Sequence, residues 1–162
     1  MAGAERVFVG LGANLGDAAA SVREALAQLG NLPQTECVAV SALYRSAPVD
    51  ADGPEYVNAV AELRTALAPA ALLAQLQALE HGFGRERPYR HAPRTLDLDL
   101  LRFGERRIES AELTLPHPRM DGRAFVLAPL AELAPTLRCA GGRTVAQTLA
   151  TLHDQRVTRI VA

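Results

Sequence analysis

Two aspartates, Asp97 and Asp99, lie in the run Arg94-Thr95-Leu96-Asp97-Leu98-Asp99-Leu100-Leu101. The run alternates as a strand does. Leu96, Leu98 and Leu100 fall on one face, and Thr95, Asp97 and Asp99 on the other. At about 3.3 Å rise per residue the two carboxylates stand about 6.5–7 Å apart. Like charges this close repel unless a cation lies between them, and Asp is depleted in strands. Mg2+ commonly takes one or two protein carboxylates and completes its shell with water and phosphate oxygens. The pair therefore points to a divalent metal carrying a phosphate; chance acids on a solvent-facing strand edge are the alternative. Upstream, residues 84–94 carry Arg85, Arg87, Arg90 and Arg94. Guanidinium forks suit phosphate oxygens bidentately. Such a loop can close over a polyphosphate and exclude water, and a solvated loop is the plainer reading.

Other residues carry weaker signals. His117 sits in Pro116-His117-Pro118, with Arg119 and Arg123 close behind. It is either a phosphate contact or a structural histidine. Tyr56 and Asn58 share one strand face, where an aromatic ring and an amide can hold a flat heterocycle, or serve an ordinary strand. Gln77 and Glu80, three apart, share a helix face near the arginine loop. Gly10, Gly12 and Gly16 do not space as Gly-x-Gly-x-x-Gly, and no Gly-Lys-Ser/Thr follows. Neither a dinucleotide fingerprint nor a P-loop is supported. The glycines read as close strand packing and a tight turn, or as close approach to a flat ligand.

The elements that position these residues are legible in order. Val7–Gly12 is a short apolar run and reads as a buried strand. Asp17 is a candidate N-cap for a helix with Val22, Ala25, Leu26 and Leu29 inward, ending at Gly30. Val38–Tyr44 reads as a second strand and Tyr56–Leu63 as a third, with a loop over Pro48–Pro54 between them. Pro69 opens a second helix that turns Leu72, Leu73, Leu76 and Leu79 inward and ends near Gly82. The arginine loop and the aspartate strand follow. Strand, helix, strand, strand, helix, strand is the ferredoxin-like βαββαβ order: an α+β fold, an antiparallel sheet with helices on one face. Residues 104–162 are less periodic and read as an irregular C-terminal extension. Short strands are expected at Arg107-Ile108 and Leu113–Leu115, a helical turn within Phe125–Leu133 ended by Pro135, and a short helix over Thr144–Leu152.

The chain has 162 residues, read as one domain over 1–162, with 49% hydrophobic residues and a formal net charge of −1. That balance excludes a general nucleic-acid binder, which needs a strongly basic domain. The basic charge is local and suits a small anionic ligand. Cys37 and Cys139 have no metal-ligand spacing and read as reduced core thiols. No signal-peptide pattern opens the chain and no apolar run reaches the ~20 residues that span a bilayer. A cytoplasmic protein without membrane or nucleic-acid partners is expected.

Taken together the motifs resemble the 6-hydroxymethyl-7,8-dihydropterin pyrophosphokinase family of folate biosynthesis, almost end to end. The resemblance runs through Gly10-Leu11-Gly12-Ala13-Asn14-Leu15-Gly16, Tyr44-Arg45-Ser46-Ala47-Pro48, Tyr56-Val57-Asn58-Ala59, and Glu80 with Gly84-Arg85. It is most specific in Pro93-Arg94-Thr95-Leu96-Asp97-Leu98-Asp99, followed by Pro116-His117-Pro118-Arg119-Met120 and Arg123-Ala124-Phe125-Val126-Leu127. It implies a ferredoxin-like core that binds ATP with two Mg2+ ions and transfers the β,γ-diphosphate to the pterin hydroxymethyl group, releasing AMP. It implies that Asp97 and Asp99 hold both metals and that Arg85 and Arg94 act on the phosphates. Arg87, Arg90, Thr114, His117 and Arg123 would contact ATP, with Gln77, Glu80 and Leu100 nearby. Tyr56 and Asn58 would hold the pterin, with backbone groups of Ser46, Ala47 and Val49, and Phe125 would stack on its other face. A monomer is expected. Many family members carry a Trp in the arginine loop, where this chain has Tyr89-Arg90-His91. A two-metal phosphoesterase would want more acidic and histidine ligands, and a ligand-sensing module would need neither the aspartate pair nor the arginines.

Overall fold

The computed structural model describes residues 3–14, 17–47, 55–84 and 96–160. Its centre is a mixed α+β arrangement built on one antiparallel sheet. The first strand, β1 (Glu5–Ala13), is apolar enough to be covered on both faces, and Val7, Phe8, Val9 and Leu11 are all buried. Helix α1 (Ala18–Leu29) starts where the Asp17 side chain accepts from the Ala20 N–H at 3.1 Å, as its N-cap chemistry requires. It buries Val22, Ala25 and Leu29, with Leu26 half-buried beside them.

The expected second strand is two strands. β2 (Thr35–Val40) and β3 (Tyr44–Ser46) both pair with β4 (Tyr56–Thr65), which is long enough to carry them end to end. The reason for the break is Ser41. Its N–H donates to the Val60 carbonyl, and its Oγ accepts the Val60 N–H, each at 2.9 Å. A side chain therefore takes the place of one backbone acceptor, and the regular ladder stops there. Helix α2 (Pro69–Gly84) follows, with Leu72 and Leu76 fully buried and Leu73 and Leu79 only partly.

Strand β5 (Asp97–Phe103) returns beside β1 at one end of the sheet, giving the order β5-β1-β4-β3-β8, where β8 is Val157–Arg159, with β2 also on β4. A bulge interrupts β5 at Leu101: Val9 pairs with Leu100 and Phe8 with Arg102. Alternation alone turns Leu101 to the face of Asp97 and Asp99, and the extra residue brings Phe103 back to the face of Leu98 and Leu100. Leu96, Leu98 and Leu100 face α1 and α2, as their alternation requires.

The expectation of helices on one face holds for α1 and α2 but needs correction for the molecule. The segment after residue 104 is ordered rather than irregular, and it covers the other face. Short strands β6 (Ile108–Glu109) and β7 (Thr114–Leu115) pair with each other. A 3-10 turn (Met120–Gly122) leads into α3 (Ala124–Leu133), a ten-residue helix with Pro129 inside it. Then come α4 (Val145–Ala150), opened by a Thr144–Gln147 capping box, and β8 (Val157–Arg159), which pairs with β3. Leu127 and Leu130 of α3 and Val145 of α4 pack on Phe8, Val60 and Leu101. The sheet thus has an apolar cluster on each face. Cys37 and Cys139 are half-buried free thiols. Among the described residues no helix is long and apolar enough to cross a membrane.

Candidate active site

The register of the sheet assembles a site on the face that carries α3. Asp97 lies opposite Gly12 of β1, Gly12 opposite Asn58 of β4, and Asn58 opposite Tyr44 of β3. One step along, Asp99 lies opposite Gly10, and Gly10 opposite Val60. Two acids on β5 and an amide on β4 therefore flank β1, with the glycines of β1 between them. The glycines have no side chains to fill the space. A cavity of about 190 Å3 opens above them, walled by Tyr56, Asn58, Asp97 and Asp99, by Ser46 and Ala47, and by Arg123, Phe125 and Val126 at the start of α3.

Each wall has a local cause. The Ser46 hydroxyl donates to Asn58 Oδ1 at 2.7 Å, which fixes the amide with its Nδ2 toward β1. A methyl group on Gly12 would stand 2.9 Å from that nitrogen, so the amide occupies the space a side chain at position 12 would need. The Arg123 guanidinium lies over the Phe125 ring, 5.5 Å from its centre, a cation–π contact that aligns charge and ring in one wall. Tyr44, one strand position from Asn58, hydrogen-bonds Glu132 of α3 through its hydroxyl. Burial, and then the Glu132 carboxylate, push the Tyr44 phenol up to about 12, so it stays a neutral donor.

Asp97 is half-buried and Asp99 is exposed, both on the cavity side of β5. Glu80 of α2 stands behind them: its carboxylate accepts the Leu98 N–H at 2.7 Å, on the peptide between the two aspartates. His117 is half-buried. Its N–H donates to the Leu101 carbonyl at 2.8 Å, and its Nδ1 accepts from the Arg119 N–H at 3.2 Å. With Nδ1 occupied as an acceptor, a neutral ring carries its proton on Nε2. Burial pushes the His117 pKa below its ordinary value, Asp99 opposes this, and Arg123 and Arg119 add to the lowering, which favours the neutral ring. His117 is not itself among the residues that line the cavity.

The remaining expected residues fall as follows. Gln77 is exposed on α2 and Thr114 is half-buried on β7, and neither lines the cavity. The Leu100 side chain points away, into the core under α1 and α2, so only its backbone can face a ligand. Val49, Arg85, Arg87, Arg90 and Arg94 lie outside the described residues. Gly10, Leu11, Gly12, Ala59, Val60 and Val126 complete the lining. The glycines were visible in the sequence as possible close-approach points; Val126 carried no signal beyond its place beside Phe125.

The donor set suits Mg2+. Asp97 and Asp99 line the cavity beside the glycines, and a pair of carboxylates leaves most coordination positions to water and phosphate. Among the described residues no group of three or more His, Cys, Asp or Glu forms a closed cage. The ring of Phe125, the amide of Asn58 and the phenol of Tyr56 can hold a flat polar heterocycle. One cavity can therefore hold a heterocycle beside a metal-bound phosphate.

Comparison with known proteins agrees with this geometry. Residues 8–135 match the family model described as 7,8-dihydro-6-hydroxymethylpterin-pyrophosphokinase. A 2-amino-4-hydroxy-6-hydroxymethyldihydropteridine pyrophosphokinase of Pseudomonas aeruginosa is 48% identical over 157 residues, 96% of this chain and 97% of that protein. The enzyme of that name from Synechocystis is 43% identical over 142 residues, 87% of this chain and 73% of that one. Among solved structures, an HPPK-DHPS in complex with substrates superposes with a TM-score of 0.75 at 11% identity over 91% of this chain. This chain spans 43% of that longer one. A Plasmodium falciparum HPPK-DHPS with pteroate gives a TM-score of 0.74 at 12% identity, with this chain covering 42% of it. At these identities the structures speak for the fold, and the sequence matches for the family. The chain belongs to the 7,8-dihydro-6-hydroxymethylpterin-pyrophosphokinase family, a family of transferase enzymes.

Proposed function

We propose that this protein transfers the β,γ-diphosphate of ATP, with Mg2+, to the hydroxymethyl group of 6-hydroxymethyl-7,8-dihydropterin in folate biosynthesis. The products are the pterin diphosphate and AMP. The observation that carries this reading is the shared cavity: Asp97 and Asp99 open onto the same space as Tyr56, Asn58 and Phe125, across Gly10 and Gly12. The reading includes a ferredoxin-like core, supported by the β5-β1-β4 order with β2 and β3 beyond it. It also includes a cytoplasmic monomer.

In this mechanism Asn58 and the backbone at Ser46, Ala47 and Val49 bind the pterin edge, and Tyr56 and Phe125 cover its faces. Asp97 and Asp99 are the residues that would hold two Mg2+ ions. Those ions, when bound, neutralise phosphate charge and favour in-line attack at the β-phosphorus. The pterin hydroxyl oxygen forms a bond to that phosphorus and gives up its proton to solvent, and the bond from the β-phosphorus to the α,β-bridging oxygen breaks with its electron pair leaving on AMP. Arg85 and Arg94 stabilise the charge that builds on that oxygen as AMP leaves. Arg87, Arg90, Thr114, His117 and Arg123 hold ATP, with Gln77, Glu80 and the Leu100 backbone beside them. His117, whose Nδ1 accepts from the Arg119 N–H, presents Nε2 as a hydrogen-bond donor to the nucleotide. Arg123 adds the positive charge in that wall.

The test is to incubate the protein with ATP, Mg2+ and the pterin alcohol and to identify the nucleotide released. AMP formed only in the presence of the pterin is expected. ADP, or nucleotide release without pterin, would reject diphosphate transfer. Asp97→Ala is expected to lose turnover by at least about a thousandfold, about 4 kcal/mol of transition-state stabilisation, while pterin affinity stays within about threefold. Near-normal turnover in that variant would remove the metal assignment.

A further inference from the structure

The start of α3 supplies two walls of the cavity, Arg123 and Phe125, yet no cap on its own element holds it. Its N-cap is Arg123, whose side chain makes no capping hydrogen bond. The first N–H groups of a helix need partners. Here the partner comes from 31 positions along the chain: the Ala124 N–H donates to Gln155 Oε1 at 2.9 Å. The other end of the same amide also binds, with Gln155 Nε2 donating to the Gly122 carbonyl at 2.9 Å. One side chain thus grips the peptide groups on both sides of Arg123.

Gln155 is itself held. Its N–H donates to the Leu152 carbonyl at 3.0 Å, in the turn after α4. Two residues later β8 pairs with β3, with Val157 opposite Ser46 and Arg159 opposite Tyr44. Ser46 is the residue that fixes the Asn58 amide. The segment 152–159 therefore contacts both sides of the cavity from behind, α3 through Gln155 and β3 through β8. It lies beyond residue 135, where the family match ends.

We infer that Gln155 is a positioning residue for substrate binding: its amide sets the turn that presents Arg123 to the phosphates and Phe125 to the heterocycle. The inference rests on the binding roles given above to Arg123 and Phe125. Gln155 touches neither substrate. It acts by limiting the orientations of the Gly122–Ala124 backbone, so its loss is felt in binding rather than in the bond-making step.

Two substitutions test this. Gln155→Met keeps the length of the side chain and removes both hydrogen bonds. Gln155→Glu keeps an acceptor for the Ala124 N–H and, when ionised, removes the donor to Gly122. In Q155M, faster solvent exchange of the Ala124 amide is expected by NMR. KM for both substrates is expected to rise about tenfold, the loss of roughly one net hydrogen bond of order, with kcat within about threefold of wild type. In Q155E the Ala124 amide stays protected and the KM values fall between those of wild type and Q155M. Unchanged exchange and unchanged KM in Q155M would overturn the inference. So would faster exchange with wild-type KM values, which would make Gln155 a helix cap and nothing more. If wild-type protein released no AMP, the pyrophosphokinase reading would fall. The exchange measurement would still decide the clamp, and binding titrations of ATP and the pterin would replace KM.

Discussion

Gly12 shows how much of the site depends on an atom that is not there. It lies between Asp97 and Asn58 in the register, and a Cβ on it would stand 2.9 Å from Asn58 Nδ2. Asn58 cannot give way freely, because Ser46 holds its other end at 2.7 Å. Gly10 differs: a Cβ there would meet the flexible end of Leu101 at 3.4 Å, which can adjust. Gly12→Ala is therefore expected to raise KM for the pterin by about tenfold, an amount near one well-placed hydrogen bond, with a smaller change for ATP. Gly10→Ala is expected to change the pterin KM less. Steady-state kinetics on the two variants check this, and equal effects would count against the Asn58 contact. The sequence showed both glycines but did not separate them, since the distinction lies in what stands across the strand.

At the scale of elements, the aspartate strand depends on a helix. β5 is an end strand of the main sheet, and the Leu98 N–H is taken by Glu80 of α2 at 2.7 Å. A hydrogen bond to a charged group contributes about 1.5–3 kcal/mol, and this one sits on the peptide joining Leu98 to Asp97. Glu80→Ala is expected to cost about that much in urea unfolding and to lower kcat. Glu80→Gln, which keeps a neutral acceptor, recovers a good part of both. A stability loss under about 0.5 kcal/mol in the alanine variant would show that water replaces the carboxylate. Local signals for the elements were good. Asp17 caps its helix as its type suggests, and Val22, Ala25 and Leu29 of α1 and Leu72 and Leu76 of α2 are buried as their spacing requires, while Leu26, Leu73 and Leu79 are only partly so. Two features were not legible. The split between β2 and β3 comes from the Ser41 hydroxyl meeting Val60, and the bulge at Leu101 comes from pairing with β1. Both depend on a partner strand far away in the chain.

At the scale of the molecule, the sheet separates two apolar clusters. Val22 of α1 belongs to one and Val145 of α4 to the other, and both are fully buried. Val22→Ala and Val145→Ala are each expected to cost about 2 kcal/mol, from the lost methyl burial and the cavity left behind. Since the two sites share no partners across the sheet, the double variant is expected to equal the sum within about 0.5 kcal/mol. Chemical denaturation of the three variants measures it, and a larger coupling would mean that the sheet transmits strain between its faces. The cluster under α3 has functional weight as well as structural weight. It holds the helix whose first residues line the cavity.

The local sequence pattern pointed to the chemistry proposed for the site and to the order of the elements up to β5, except that one expected strand is divided into β2 and β3. Alternation, helix spacing, caps and the Asp-x-Asp pair are local properties, written within a few residues of one another. It also carried enough motif to point to the family that the comparisons then established. Which residues meet depends on how distant strands pair. Antiparallel register brought Asp97, Gly12 and Asn58 into one row from three strands. The fold of residues 104–160 laid α3 over that row and brought Gln155 back to its start. These contacts join residues 31 to 85 positions apart, so no local pattern encodes them. They follow from burying two faces of one sheet, which forces the C-terminal segment across the side that the first two helices leave open.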